Sequence, residues 1–282
     1  MTTLFTRDKL EVYLPNERSE TRTIGLVPTM GALHPGHLSL VEKAFRENDR
    51  VVVSIFVNPT QFNNPEDLEK YPQNLETDLE ILRSYQSKVV VFAPTVSEIY
   101  PEQVTAVDYD FDGLNVVMEG AHRAGHFEGV ATIVETLLRL VAPDRAYFGE
   151  KDYQQLQIIK KVVVEKQLDV TICPCPIVRE PNGLAMSSRN ERLPKRLRDE
   201  AKLIFEVLQT AKIQFGTESA DKVIKWVHET FRKYADFKLE YFTIAHAETL
   251  KPVIRKRKNQ KYRAFIAVYV QDVRLIDNLA LN

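Results

Sequence analysis

Short, nearly continuous apolar runs rich in β-branched residues alternate with amphipathic stretches through the first two thirds of the chain. Strands buried on both faces of a parallel sheet have this pattern, because neither face needs a polar side. The runs at 24–27, 51–57, 89–92, 145–148 and 170–173 predict five strands. Between them, 37–47, 74–84, 129–141 and 153–167 predict helices, the last two with apolar residues recurring three and four apart. The alternation predicts an α/β fold, a Rossmann-like doubly wound parallel sheet with right-handed crossovers. Ligands in such a sheet gather at the carboxyl ends of the strands.

From about residue 181 the rhythm changes. Two long helical patterns, 193–215 and 219–234, run consecutively before strand patterns at 239–245 and 264–270. That order predicts a smaller C-terminal α+β domain. Pro174, Pro176, Pro181 and Gly183 punctuate the junction, so the expected division is 1–180 and 181–282, with a hinge near 174–183. The chain carries no internal repeat or low-complexity tract.

Composition narrows the class. A chain of 282 residues has room for two domains. With 44% hydrophobic residues, it can bury about three quarters of its unfolded surface without metal or disulfide staples. The 38 Lys and Arg nearly cancel the 39 Asp and Glu, for a formal net charge of -1, so no global field steers the protein onto nucleic acid or an anionic membrane. An anionic ligand must be held by local groups. Residues 1–20 mix charged and apolar positions and lack the apolar core of a signal peptide. The longest apolar runs, 51–57 and 89–93, fall far short of the ~20 residues of a membrane span. A soluble, cytoplasmic protein is expected. Cys173 and Cys175 are too few for a disulfide framework or a zinc site, and strand alternation places both thiols on one face.

The chemistry is concentrated in a few segments. Gly25-Leu-Val-Pro-Thr-Met-Gly-Ala-Leu-His34-Pro-Gly36-His37 is a strand running into a loop that opens a helix. Backbone N–H groups at a helix N-terminus bind anions, Gly36 allows close approach, and His34 and His37 add donors. Their spacing of three, with no intervening glutamate, argues for phosphate contact rather than a zincin site. An isolated H-x-x-H match is more often an ordinary polar turn, but this one follows the first apolar strand. Its spelling, with Pro35 and Gly36, matches the H-x-G-H motif of the nucleotidylyl transferase superfamily. That superfamily splits NTP between its α and β phosphates, and it implies a second, mobile K-M-S-K-S-like loop. Met186-Ser187-Ser188-Arg189-Asn190 stands in that place, with two hydroxyls and a guanidinium suited to a polyphosphate.

Three further segments narrow the resemblance: Asn58-Pro59-Thr60-Gln61-Phe62, the run from Glu119 through His122 and His126 to Val130, and Phe148-Gly149-Glu150-Lys151-Asp152-Tyr153-Gln154-Gln155. With the two nucleotide motifs, they make residues 24–192 closely resemble the pantothenate synthetase (pantoate–β-alanine ligase) family, with a weaker echo at Arg274-Leu-Ile-Asp-Asn278. The resemblance implies that pantoate carboxylate attacks the α-phosphate of ATP, giving pantoyl adenylate and pyrophosphate. β-Alanine then displaces AMP to form pantothenate, a coenzyme A precursor. It also implies a homodimer, a Mg²⁺ requirement, and a nucleotide- and pantoate-binding first domain beneath a C-terminal lid.

By motif match, Met30, Gly31, Ala32, Leu33, His34, Pro35, Gly36 and His37 would contact ATP. His34 and His37 would meet the phosphates, with His37 a candidate proton donor, and polyphosphate would favour the charged imidazole. Lys151 would sit on the phosphates and Asp152 would help hold Mg²⁺. Ser187, Ser188 and Arg189, after Met186, would close over the triphosphate, while Gly149, Glu150 and Val178 would border the nucleotide. His34, His37, Lys151 and Arg189 are the expected catalytic set. Gln61 and Gln155 are the expected pantoate ligands, with Gln61 also meeting β-alanine and Asn58 nearby. Neutral amides orient a carboxylate without quenching it as a nucleophile.

Other features carry less. His122 and His126 are spaced four apart, but Gly125 interrupts any helix between them and no third ligand is near, so a loop shaping the site wall is expected rather than a metal centre. Ala124, Gln73-Asn74 and the stretch 271–273 depart from common family spellings; the last bears only on the terminal turn of the small domain. The basic segment Arg255-Lys-Arg-Lys-Asn-Gln-Lys-Tyr-Arg263 contains one aromatic, which suits a charged turn between strands better than an RNA surface. Two alternatives remain. An adenylyltransferase would use the same nucleotide motifs but leave AMP in its product. An RNA-binding module that has lost catalysis would not need His34, His37, Lys151 and Arg189 intact.

Overall fold

A computed structural model describes residues 1–17, 22–253 and 255–282. In chain order the elements are β1 (Thr2–Leu4), α1 (Arg7–Glu17), β2 (Ile24–Thr29), α2 (Pro35–Glu47), β3 (Arg50–Ile55), α3 (Pro65–Glu69) and α4 (Leu75–Leu82). They continue with β4 (Val89–Phe92), α5 (Val96–Ile99), α6 (Met118–His122), α7 (His126–Val141), β5 (Arg145–Gly149), α8 (Tyr153–Glu165) and β6 (Thr171–Cys175). The last third holds α9 (Lys195–Glu200), α10 (Lys202–Thr217), α11 (Ala220–Phe231), β7 (Phe237–His246), β8 (Tyr262–Val270) and β9 (Val273–Ala280). Single 3-10 turns cover Pro59–Gln61, Arg83–Tyr85, Glu150–Asp152 and Ser188–Arg192.

Six strands form one sheet in the order β1-β4-β3-β2-β5-β6, and every pairing in it is parallel. Val51, Val52 and Val53 of β3 are all fully buried, as a central strand covered on both faces requires. The five expected strands are present, and β1 adds a sixth that its three residues were too short to reveal. The chain leaves β2 toward β3 on one side and later returns to β5 on the other, so the topological switch point lies between β2 and β5. These two strands pair only at Gly25 with Arg145 and Leu26 with Ala146. Pro28, which has no N–H, sits beyond that last pairing, where the two strands have ceased to share a ladder. Ligand-sized crevices open where strands part in this way. Pro174 is tolerated inside β6 for a related reason, since β6 is an edge strand. Cys173 and Cys175 are free thiols packed in one apolar cluster, as period-two alternation predicts. Burial pushes the Cys175 thiol up to about 11.

The chain divides into two compact units: residues 1–150 with 155–176, and residues 151–154 with 177–282. The second unit is a three-stranded antiparallel sheet, β7-β8-β9, with α10 and α11 contributing to one apolar core. The expected helix over 193–215 is two helices, α9 and α10, broken at Ala201. Strand β9 was not expected at all. Its alternation sets Val273, Leu275 and Asp277 on buried positions, and a carboxylate in that register hides the strand pattern. Of the basic segment, residues 255–261 lie between β7 and β8, while Tyr262 and Arg263 open β8; Lys256 stacks over the ring of Phe215, 4.4 Å from its centroid.

Residues 271 and 272 connect β8 to β9, with Val270 paired directly to Val273. Gln271 adopts φ 54°, the left-handed region that favours glycine. Relieving that strain outweighs the added freedom of a glycine in the unfolded chain, so Gln271→Gly is expected to raise stability by about 0.5–1 kcal/mol. Chemical denaturation measures this directly, and a loss of stability would show that the Gln271 conformation carries no strain.

Candidate active site

Strand β2 delivers the loop that opens α2. The Thr29 hydroxyl donates to the Ser54 carbonyl at 2.7 Å and accepts the Gly31 N–H at 3.2 Å. Ala32 and Leu33 both donate their N–H groups to the carboxylate of Asp78 on α4, at 3.0 and 2.8 Å. Gly31 stands at φ 80°, and a Cβ there would lie 2.9 Å from an Asp78 oxygen, so glycine is needed for the loop to lie this close to the carboxylate. Ala32 follows at φ 50°, a conformation an alanine holds only where its surroundings over-determine it. Asp78 is buried, and desolvation raises its pKa above the ordinary carboxylate value against the pull of the Leu33 and Ala32 bonds. Asn74, one of the positions that depart from the family spelling, caps α4 by accepting the Thr77 N–H at 3.0 Å.

The two histidines then form the N-terminal cap of α2, with Pro35 in the first turn. His34 Nδ1 accepts the Gly36 N–H at 3.1 Å, and His37 Nδ1 accepts the His34 N–H at 3.3 Å, a capping box built from imidazoles. The His37 and Leu38 N–H groups donate to the His34 carbonyl at 2.8 and 3.1 Å. Every backbone N–H from Gly31 to Leu38 therefore has a partner within the loop or on Asp78. The sequence suggested that these N–H groups would be offered to an anion; in the structure they are paired within the loop or on Asp78. What the loop can offer is imidazole. A neutral ring that accepts at Nδ1 carries its proton on Nε2, so His34 and His37 donate from Nε2 without first acquiring charge. The rings are tilted against each other with centroids 4.0 Å apart.

The turn after β3 places the amides. Asn58 is buried, and its side chain is saturated. Its Nδ2 donates to the Gly129 carbonyl at 3.0 Å and to Gln61 Oε1 at 3.2 Å, while its Oδ1 accepts from Tyr100 at 2.6 Å and Thr60 at 3.0 Å. All four hydrogen-bonding positions are filled within the protein, and one of these bonds holds the Gln61 side chain. Gln61 Nε2 lies 3.0 Å from the sulfur of Met30, in the loop after β2. His126 Nδ1 donates to the Gln61 carbonyl at 2.8 Å, and its Nε2 accepts from Arg123 at 3.0 Å. Both ring nitrogens are thereby taken, which removes His126 as a metal ligand. Gly125, in the left-handed conformation, separates α6, which ends at His122, from α7. Gly129 lets α7 approach the turn, since a Cβ there would lie 2.3 Å from the Thr60 carbonyl oxygen.

Strand β5 ends at Gly149, Glu150 opens the 3-10 turn that follows, and the half-buried Gln155 lies in the first turn of α8. The loops carrying His34 and His37, Gln61, and Gln155 thus follow three neighbouring strands, β2, β3 and β5, at the carboxyl ends flanking the switch point. The remaining expected residues belong to the second unit. Lys151 Nζ lies 3.9 Å from the Asp152 carboxylate. Val178 accepts the Met186 N–H at 3.0 Å, closing a hairpin that leads into Ser187. Ser187 caps the 3-10 turn Ser188–Arg192 by accepting the Arg189 N–H at 3.3 Å, so the expected loop carries a defined helical turn.

Against known proteins, the model of the pantoate–β-alanine ligase family matches residues 2–280. The chain belongs to this family. Curated relatives include the pantothenate synthetase of Christiangramia forsetii, 57% identical with 94% of each chain covered. That of Flavobacterium psychrophilum is 53% identical with 97% of each chain covered. Among solved structures, a Thermus thermophilus pantothenate synthetase superposes with a TM-score of 0.91 at 42% identity, covering 100% of this chain and 99% of that one. A Francisella tularensis pantoate–β-alanine ligase, described as complexed with β,γ ATP and β-alanine, superposes with a TM-score of 0.81 at 36% identity, covering 100% and 98%. A six-stranded parallel sheet with a smaller antiparallel domain is thus the pantoate–β-alanine ligase fold.

Asp78 and Asn58 are the positions whose role the sequence concealed. An acid in the first turn of a helix ordinarily complements the helix dipole, and nothing local tells Asp78 from Glu76 beside it. Replacing Asp78 with Asn removes an acceptor from one of two buried N–H groups. Asp78→Asn is expected to cost about 1–3 kcal/mol at neutral pH. Because the folded pKa of Asp78 is raised, the native state binds more protons than the unfolded one between the two values, and wild-type stability falls as pH rises through that window. The gap between wild type and Asp78→Asn should therefore be wider at acidic pH than at neutral pH. Denaturant titrations across that range measure it, and a gap that widens with rising pH would contradict the assignment.

Proposed function

We propose that the chain condenses pantoate with β-alanine at the expense of ATP, through a pantoyl adenylate, to give pantothenate, AMP and pyrophosphate. One observation carries this reading, the pantoate–β-alanine ligase family match over residues 2–280; the position of the H-x-G-H and N-P-T-Q motifs after neighbouring strands at the switch point supports it.

In the first step a pantoate carboxylate oxygen bonds to the α-phosphorus, and the bond to the pyrophosphate oxygen breaks with its electron pair. Charge builds on phosphate oxygens, so positioning and electrostatic stabilisation dominate. His34 and His37 supply neutral Nε2–H donors, and Lys151, Ser187, Ser188 and Arg189 supply hydroxyls and positive charge to the departing pyrophosphate. Met30 to Gly36, with Gly149, Glu150, Val178 and Met186, would border the nucleotide. Gln61 and Gln155 orient pantoate, leaving its carboxylate nucleophilic, and Asn58 and His126 fix Gln61. In the second step the β-alanine amine bonds to the acyl carbon near Gln61, AMP leaves, and the nitrogen loses a proton.

Mg²⁺ is a proposed requirement. No group of three or more His, Cys, Asp or Glu side chains among the described residues is placed to hold a metal. A lone, part-exposed Asp152 carboxylate nevertheless suits Mg²⁺, which takes most of its shell from phosphates and water. Bound there, the ion would neutralise charge on ATP oxygens. A homodimer, a cytoplasmic location and a C-terminal unit acting as a lid are proposed from the family resemblance. Among the described residues, no helix is long and apolar enough to cross a membrane.

The deciding experiment is exchange of labelled pyrophosphate into ATP, with pantoate present and β-alanine absent. Exchange that requires pantoate and falls at least ~100-fold in His37→Ala is expected. Absence of exchange in Mg²⁺-loaded protein would overturn the adenylate reading, and an adenylated product that keeps its AMP in the presence of β-alanine would favour an adenylyltransferase.

A further inference from the structure

The Arg274-Leu-Ile-Asp-Asn278 segment has no part in the reading above, yet its last two residues are among the few buried polar side chains of the second unit. Asp277 and Asn278 are 4% and 2% exposed. The Asn278 side chain reaches the phosphate-binding segment directly, Nδ2 donating to the Lys151 carbonyl at 2.8 Å, while its Oδ1 accepts from Arg263. Two more contacts hold the same short segment. The Arg263 guanidinium stacks on the Tyr153 ring at 3.9 Å from its centroid, and Tyr153 packs against Phe265 at 5.9 Å between centroids. Residues 151–154 accordingly cluster with the C-terminal unit although the chain on either side of them belongs to the other.

Asp277 links this anchor to the second nucleotide motif. Arg179 grips its carboxylate with both nitrogens, at 2.6 and 3.0 Å, and donates to the Gly183 carbonyl at 3.0 Å. Arg179 also bridges to Ala185 across the hairpin that ends in Met186. The Arg179 guanidinium lies 3.7 Å above the ring of Phe205 on α10, which fixes its plane. Asp277 accepts the Asn278 N–H at 2.7 Å, closing the chain of bonds from hairpin to Lys151.

We propose that Asn278 is a positioning residue for Lys151, and that Arg179–Asp277–Asn278 holds Lys151 in fixed register with Ser187, Ser188 and Arg189, so that the two groups of triphosphate contacts act as one body. The inference rests on the reading of Lys151 as a phosphate-contacting residue. It explains why a strand-forming segment keeps an acid and an amide at consecutive buried positions, one on each face, where apolar residues would otherwise be expected. A lysine ammonium is a point charge on a flexible stem, and its placement depends on the backbone that carries it.

A double-mutant cycle tests the proposal by pantoate-dependent pyrophosphate exchange. Asn278→Ala is expected to lower exchange about 10- to 100-fold, the loss that a displacement near 1 Å produces. In a Lys151→Ala background the same change should cost less than about twofold, because residues that act through one another are not additive. Asn278→Asp, which keeps the shape and the acceptor for Arg263 but cannot donate to the Lys151 carbonyl, should reproduce the loss; it carries the test if Asn278→Ala does not fold. Wild-type exchange in Asn278→Asp, or an undiminished effect in the Lys151→Ala background, would overturn the positioning role. Wild-type exchange in Lys151→Ala alone would overturn instead the phosphate role on which it rests.

Discussion

The site depends on one buried carboxylate. Asp78 accepts two consecutive backbone N–H groups from the loop that follows β2, and that pair of bonds sets Gly31 and Ala32 in left-handed conformations. From there the chain can enter α2 only through His34 and Pro35. The burial that raises the Asp78 pKa makes its charge costly to keep, and the native state bears that cost while gaining a fixed loop. Without Asp78 the Ala32 and Leu33 N–H groups would compete for any nearby anion, and the histidine cap would lose the backbone that orders it. The consequence for chemistry is a change of donor. The further donors of this loop are the imidazole Nε2–H groups of His34 and His37.

A second constraint is charge. A chain with formal net charge -1 has no surplus to spread over a surface, so positive groups must be placed one by one. Each placement has its own scaffold. Asn58, itself held by Tyr100, bonds the neutral side-chain amide of Gln61, and His126 holds the Gln61 backbone carbonyl. Asn278 and Arg263 hold the segment that carries Lys151, and the hairpin closed by Val178 and Met186 presents Ser187 to Arg189. Behind Gln61 and behind the Lys151 segment stands a buried amide, Asn58 or Asn278, held in turn by other polar groups, an arrangement that fixes geometry through cooperative bonding. Pantoate–β-alanine ligation needs such precision because its nucleophile is a weak carboxylate that must stay unneutralised until it meets phosphorus.

The apolar runs located β3 and β4 most sharply, because strands buried on both faces admit little besides Val, Ile and Leu, and β4 falls on 89–92 as anticipated. The motifs located the ligand-facing candidates because their residue types answer directly to phosphate and carboxylate. What stayed hidden were residues whose work is done at long range. Asp78 bonds to partners 45 and 46 residues away, and Asp277 to one 98 residues away. No local pattern encodes such pairings. Asp277 also misled in the other direction, since an acid in the buried register of β9 erased the alternation by which a strand is recognised. Asn58 was visible as a motif residue, but only its four filled bonds reveal that it holds Gln61 in place.

Backbone N–H groups occupy Nδ1 of both His34 and His37, which leaves Nε2 as the proton-bearing nitrogen of each neutral ring. Long-range proton–nitrogen NMR of imidazole-labelled protein, free of ligand, reports which ring nitrogen carries hydrogen. Both rings are expected to be protonated on Nε2 and bare on Nδ1, and replacing Asp78 with Asn should perturb this pattern at both histidines. A proton found on Nδ1 of either ring in the wild-type protein would contradict it.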